Sequence, residues 1–230
     1  MIEHANALTD GALTLVKRLA EIDWATDLYL AGSAALALYV GHRRVRNLDM
    51  MGYRRLLSAE RRDMLQDLLK LDPDVRVETA RDGYFYLRFS AEGDFGGAGL
   101  RFFYYPYPLV GAEEELDELA VASALDLALM KLGALISRAH RRDFLDLYLL
   151  SRKIPLDEML ARSPEKYGHV RDFPLQALKG LADVTSARAE PMPTLDIELE
   201  WQDVECWLLD ETRRLARDEV GLPEAGPSKD

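Results

Sequence analysis

The chemistry most plainly written in this chain belongs to Gly32, Ser33, Asn47 and Asp49, all within LYLAGSAALALYVGHRRVRNLDMM. That stretch reads as a short apolar strand over 28–31, a Gly-Ser turn, and a small-residue helix over 33–40 that stops near Gly41. A second strand follows and carries Asn47 and Asp49. A helix that begins directly after Gly-Ser receives phosphate, because its unpaired N–H groups and its dipole favour an anion. Strand side chains alternate, so Asn47 and Asp49 point to one face together with Val45. One carboxylate and one amide are thereby presented next to a phosphate position.

Cationic residues gather in two places. Arg43, Arg44, Arg46, Arg54, Arg55, Arg61 and Arg62 follow the Gly-Ser turn, and Lys131, Arg138, Arg141, Arg142, Arg152 and Lys153 open a later helical region. Facing each other, the two clusters would form a positive cleft suited to a nucleoside triphosphate or a nucleic-acid end. Apart, they are two solvated arginine-rich helix faces, and charge alone leaves both open. On the helix expected over 123–138, Leu125, Leu129, Leu132 and Ile136 make the apolar stripe, and Lys131 and Arg138 share another face. Lys131 can hold a phosphate there as a point charge, and Arg138 can fork across a second. A snorkelling surface lysine is the plainer alternative. In HRRDFLDLYLL, Asp143 adjoins Leu147 and Leu150 and so needs a partner, with Arg138, Arg142 and Lys131 in reach; a structural ion pair at a helix start is the plainer alternative. His42 lies beside the Gly-Ser helix, as a phosphate contact or a lone surface histidine. Tyr104, Tyr105 and Tyr107 could stack a base or pack an edge strand.

Composition narrows the field. The chain has 230 residues, 48% of them hydrophobic and 30% charged, enough for one large domain or two small ones. A net charge of −11 argues against a general nucleic-acid coat or a binder of anionic membranes. Cys206 is the single cysteine, expected as a small core residue; it excludes an intrachain disulfide and points to a reducing, cytoplasmic setting. MIEHANALTD lacks the features of a signal peptide, and no apolar run reaches the roughly 18 residues of a spanning helix.

The elements that must position these residues follow from periodicity and punctuation. An amphipathic helix is expected over 8–22, and another capped by Ser58 runs to about residue 70, where Asp72-Pro73 ends it. Strands are expected over 75–79, 84–90 and 100–105, followed by a loop through YPYPLVGAEEELDE. Ser123 with Asp126 resembles a capping box, and helices are expected over 123–138, 141–152, 155–163, 172–186 and 200–219. The fold class is therefore α+β: a mixed-sheet domain over 1–121, a helical domain over 122–222, and a tail over 223–230 of disordered composition.

Three separated segments, YLAGSAALALYVGHRR…NLD, FFYYPYPL and VASALDLALMKLGALISRAHRRDFLDLYLL, resemble the AbiEii/AbiGii nucleotidyltransferase toxin family of type IV toxin–antitoxin and abortive-infection systems. The resemblance extends to Pro191-Met192-Pro193 ahead of a final helix from Trp201. It implies a polymerase beta-like nucleotidyltransferase fold with a helical C-terminal half, NTP binding with Mg²⁺, transfer of a nucleotide to an RNA end such as that of tRNA, and a cognate antitoxin. Carried over residue by residue, the Gly-Ser motif is Gly32 and Ser33, the strand aspartate and metal ligand is Asp49, the motif lysine is Lys131, and the later basic-Asp motif is Arg142 and Asp143. The resemblance thus assigns catalysis to Asp49, Asn47, Lys131 and Asp143. With Arg43 and Arg138 added from the basic clusters, nucleotide binding is expected at Gly32, Ser33, Arg43, Lys131, Arg138 and Arg142. Two departures stand out: the first member of the acidic pair is Asn47, and the position of a third carboxylate falls at Arg101, with Glu78 as a weak substitute. A nucleotide-binding or partner-binding module that does no chemistry is the alternative these departures raise.

Overall fold

A computed structural model of the chain describes residues 1–220, with side chains through Arg217. The expected tail over 223–230 lies outside the described residues. The fold is α+β, and the chain divides into two compact units: Met1–Leu127 with Leu195–Ile197, and Ala128–Thr194 with the chain from Glu198. No helix among the described residues is long and apolar enough to cross a membrane.

The first unit opens with helix α1, Asp10–Ala20, capped by Thr9, whose Oγ1 accepts the Ala12 N–H. Ala12, Leu15, Val16 and Leu19 form its buried stripe. Strand β1 (Tyr29–Ala31) runs directly into α2 (Gly32–Val40). Helix α2 buries Ala34 through Tyr39 and is apolar all round, as a central core helix must be. It ends at Gly41, whose positive φ of 66° supplies a left-handed C-cap. Strand β2 (Asn47–Gly52) returns antiparallel to β1, placing Asp49 beside Ala31. Helix α3 (Ser58–Leu71) starts at Ser58 itself, the residue expected to cap it. Leu57 is the N-cap, and the Glu60 carboxylate accepts its N–H at 2.6 Å.

Strands β3 (Arg76–Arg81), β4 (Tyr84–Arg88) and β5 (Gly99–Tyr104) form an antiparallel meander, and β5 pairs in parallel with β2. The end of the segment expected as a loop, with the residues that follow it, forms a hairpin, β6 (Glu114–Leu116) and β7 (Leu119–Val121). Its turn residues Asp117 and Glu118 both have positive φ, the geometry of a two-residue turn that usually selects Asn-Gly. The sheet order is β3-β4-β5-β2-β1-β7-β6. Its packed face carries Leu48, Met50, Leu100 and Phe102, and its other face carries Asn47, Asp49, Gly99 and Arg101. Each fully buried Leu or Phe contributes about 1.5–3 kcal/mol, so the alternation in β2 and β5 fixes which side chains are left for chemistry.

Helix α4 (Ala124–Ser137) begins in this unit. Ser123 caps it, since the Asp126 N–H donates to Ser123 Oγ at 3.0 Å. The Asp126 carboxylate accepts the Ser123 hydroxyl and the N–H groups of Val110 and Gly111, so it pins the preceding loop.

The second unit holds the rest of α4 with α5 (Arg141–Ser151), α6 (Leu156–Tyr167), α7 (Phe173–Ala182), α8 (Thr185–Ala189) and α9 (Trp201–Val220). Helix α6 runs through Pro164 instead of ending before it. Proline lacks the N–H that would bond the Leu160 carbonyl, and the Ser163 hydroxyl donates to that carbonyl at 2.8 Å. The helix expected over 172–186 breaks at Asp183 into α7 and α8. Val204 and Leu208 of α9 are fully buried, whereas Cys206 is exposed and is no core residue.

Candidate functional site

Gly32, Ser33, Arg43, Asn47 and Asp49 belong to the first unit; Lys131, Arg138, Arg142 and Asp143 belong to the second. Each set is built by local geometry.

In the first unit, the β1–α2 turn brings Gly32 against Asp49. Gly32 has φ +62°, and a Cβ there would sit 2.2 Å from Asp49 Oδ2. Glycine is required on both counts. The Asp49 carboxylate therefore packs against the first turn of α2, where the helix dipole favours negative charge. Asp49 also faces Arg101 directly across the parallel β2–β5 register, and Arg101 Nε lies 2.6 Å from Asp49 Oδ1. The pair is mostly buried, at 11% side-chain exposure for Asp49 and 27% for Arg101. Asn47, two residues earlier on the same face, has its Oδ1 accepting the Gly99 N–H at 3.1 Å. A Cβ at Gly99 would meet that oxygen at 2.6 Å, so Gly99 and Asn47 are fitted to each other.

Other expectations near this face change. His42 is buried at 1% exposure, not a surface histidine, and Arg43 Nε donates to its Nε2 at 3.1 Å. Glu78 lies on β3, three strands from β2 in the sheet order, and pairs with Arg88, so it does not supply the third carboxylate missing at Arg101. The arginines after the turn pair singly across the surface: Arg44 with Asp10, Arg54 with Glu60, and Arg55 with Asp82. Arg55 also stacks over Tyr104, and Tyr105 packs its ring on Tyr107.

These residues fit a magnesium ion poorly. Mg²⁺ requires near-octahedral oxygen ligation anchored by carboxylates. Here the one carboxylate is matched by a guanidinium, and the amide oxygen of Asn47 is committed to a backbone N–H. Among the described residues, no group of three or more His, Cys, Asp or Glu side chains could hold a metal ion.

In the second unit, α4 and α5 together enclose a charge network. Lys131 Nζ lies 2.9 Å from Asp143 Oδ1 and 2.5 Å from Asp146 Oδ2. Arg138 forks onto Asp143, with Nε to Oδ2 at 2.8 Å and Nη2 to Oδ1 at 3.0 Å. Both aspartates are 2% exposed. Burial alone would lower the Lys131 pKa, but Asp146 and Asp143 outweigh it and hold the amine above its ordinary 10.5. Two cations and two anions balance locally. Lys131, at 13% side-chain exposure, is thus a largely covered ion-pair partner, not a snorkelling surface residue. Arg142 is exposed and stands outside this network. Asp146 was not anticipated, although it lies three residues after Asp143 and shares its helix face. Arg141 is buried as well. Its guanidinium donates to the Ala187 and Arg188 carbonyls and lies 4.7 Å from the Trp201 ring centroid.

Comparison with known proteins agrees with this architecture. A family model described as the nucleotidyl transferase AbiEii toxin, type IV TA system, matches residues 14–205. An uncharacterised protein of Aquifex aeolicus is 29% identical over 194 residues, covering 83% of this chain and 88% of its own. The crystal structure of a candidate nucleotidyltransferase from Helicobacter pylori superposes with a TM-score of 0.55 at 17% identity, over 94% of this chain and 99% of that one. That of JHP933 from Helicobacter pylori gives 0.55 at 18% identity, over 94% and 97%. The structural likeness shows a nucleotidyltransferase fold, and the family model spans most of the chain, from α1 into α9. This chain belongs to the AbiEii nucleotidyl transferase toxin family of type IV toxin–antitoxin systems.

Proposed function

We propose that the chain binds a nucleoside triphosphate at the Gly32–Ser33 turn and that metal-dependent transfer to an RNA end has lapsed. The observation that carries this reading is the ion pair of Asp49 with Arg101 at 2.6 Å. Metal ions in nucleotidyl and phosphoryl transfer neutralise triphosphate charge and activate the attacking hydroxyl. A guanidinium fixed beside Asp49 supplies the first effect, since it can fork onto phosphate oxygens. It supplies no route to the second. Ser33 at the start of α2 offers the helix N-terminus to the phosphates, and Arg101 takes the charge-neutralising role expected of Mg²⁺. The family's type IV pairing makes an antitoxin the expected protein partner, and a tRNA or other RNA end is the acceptor if transfer persists.

Calorimetric titration of the full chain with ATP, GTP, CTP and UTP, each with and without Mg²⁺, tests this. Expected are nucleotide binding indifferent to Mg²⁺ and a loss of about tenfold or more in Arg101→Ala, the scale of a charge-assisted hydrogen bond. Affinity that rises with Mg²⁺ in the native protein, together with RNA labelling that Asp49→Ala abolishes, would overturn the lapsed-enzyme reading in favour of a working nucleotidyltransferase.

A further inference from the structure

Away from Asp49, at the other end of β2, a cavity of about 190 Å³ opens between the 3₁₀ turn Asp23–Asp27, the segment after Gly52, and the start of α3. We propose that this cavity binds a small organic cation, an amine or guanidinium carried on an apolar stem. It is independent of the nucleotide reading. Gly52 is three residues beyond Asp49, about 10 Å along the strand.

The walls are aromatic and apolar: Trp24, Leu28, Tyr53, Leu56 and Met64. The rings are held before any ligand arrives. The Trp24 indole N–H donates to Asp67 Oδ2 at 3.2 Å, and its ring meets Phe102 edge-on at 5.8 Å. Tyr53 sits 5.8 Å from Tyr29, ring centre to ring centre. Tyr53 nevertheless remains 49% exposed, large for a ring packed on a neighbour.

The rim sets the sign of the ligand. Its one cation, Arg54, is matched by Glu60 at 2.5 Å, and Glu60 also accepts the Leu57 N–H. Asp27 and Asp63 also line the cavity, both exposed and neither in an ion pair within the described residues. Two negative charges are therefore left over beside two fixed aromatic rings. An anion is repelled there, and a neutral apolar ligand leaves the carboxylates unused. A cation gains charge-assisted hydrogen bonds from Asp27 and Asp63 and attraction to the ring faces, while its stem covers Leu28, Leu56 and Met64. Preorganised walls keep the ordering cost low.

This chemistry has two sources, a free amine or guanidine and the side chain of an arginine or lysine in a protein. Butylguanidinium stands for the first and N-acetyl-arginine methylamide for the second. Each is titrated into the full chain by calorimetry and tryptophan fluorescence, beside neutral pentanamide and ammonium chloride at matched ionic strength. Saturable binding of a guanidinium probe is expected, with a fluorescence change that disappears in Trp24→Phe. The doubly substituted Asp27→Asn, Asp63→Asn chain should bind at least tenfold more weakly; both residues are exposed, so the fold is kept. Tighter binding of the capped arginine assigns the source to a protein, and tighter binding of butylguanidinium to a free metabolite. No saturation by either probe up to about 10 mM, or equal binding of pentanamide or ammonium, overturns the proposal.

Discussion

Asp49 is held by two neighbours at once, the Gly32 turn on one oxygen and Arg101 on the other. That arrangement makes Gly32 the most constrained residue of the site. In Gly32→Ala the new Cβ would occupy the position of Asp49 Oδ2, and the residue would keep a left-handed φ that alanine disfavours. A loss of about 1–3 kcal/mol in stability is expected, the usual scale of backbone strain. Nucleotide affinity should fall with it, because a displaced Asp49 releases Arg101 from its register. Urea unfolding beside calorimetric titration checks both effects; an unchanged midpoint would show that Asp49 is not locked as described. The placement of Gly32, Ser33 and Asp49 was legible in the sequence, because turn chemistry and strand alternation are local. The Arg101 contact was not legible from local pattern. It depends on the register of β2 against β5, strands separated by two others in the chain, and only the family resemblance raised Arg101 at all. Asn47, the departure from the acidic pair, has its oxygen accepting the Gly99 N–H, a contact set by the same β2–β5 register.

Elements are tied together here by residues that the sequence presents as surface charge. Arg141 read as one of a basic cluster, yet it holds the end of α8 through two carbonyls and stacks on Trp201 of α9. Its own N–H donates to Glu190, whose pKa is held below the usual 4.5 by its bond to His140 and by that N–H. Arg141→Ala takes the guanidinium donor from the Arg188 carbonyl, leaves the Ala187 carbonyl with the Glu190 N–H alone, and uncovers an aromatic face. About 1–3 kcal/mol of destabilisation is expected, the cost of one buried polar group left unsatisfied. Arg141→Lys should recover part of that and no more, because an ammonium cannot span both carbonyls as a fork does. Denaturant midpoints of the two variants check the order; a lysine as good as the native arginine would reduce the role to charge. Helix positions were largely legible because their apolar stripes are periodic. The β6–β7 hairpin was hidden, since Asp117 and Glu118 take left-handed conformations that Asn-Gly would have announced. The continuation of α6 past Pro164 was hidden for a comparable reason, resting on one serine hydroxyl.

Charge balance governs the molecule as a whole. The chain carries a net −11, yet Lys131, Arg138, Asp143 and Asp146 form a locally neutral quartet in which both aspartates are buried, Lys131 is largely covered and Arg138 stays half exposed. The sequence placed Lys131 and Asp143 within reach of each other, and helix periodicity supported that. It gave no sign that Asp143 would be buried and Lys131 largely covered, because burial is decided by what packs over them. Lys131 in the folded protein titrates above the ordinary 10.5, with Asp146 and Asp143 overcoming the penalty of burial. A raised folded pKa means that the group's contribution is complete below the unfolded value and is lost as pH rises through the folded one. Stability should therefore hold up to about pH 10 and fall above it, as the amine loses its proton and the charge that faces the buried Asp143 and Asp146 is gone. In Lys131→Gln that imbalance exists at every pH. The variant should be about 3–5 kcal/mol less stable at pH 8, the cost of breaking a buried ion pair. Its decline between pH 9 and about 11.5 should be shallower than the native one, since the titrating amine is gone. Urea unfolding across that range, native against variant, separates this group from the tyrosines that titrate nearby, which both proteins share. Parallel curves offset by a constant would show that Lys131 supports the fold by packing and that its charge is incidental. A shallower curve in the variant would make the ammonium itself the element that holds α4 to α5. A weakened nucleotide response in Lys131→Ala would then report a damaged helical unit and not a missing phosphate contact.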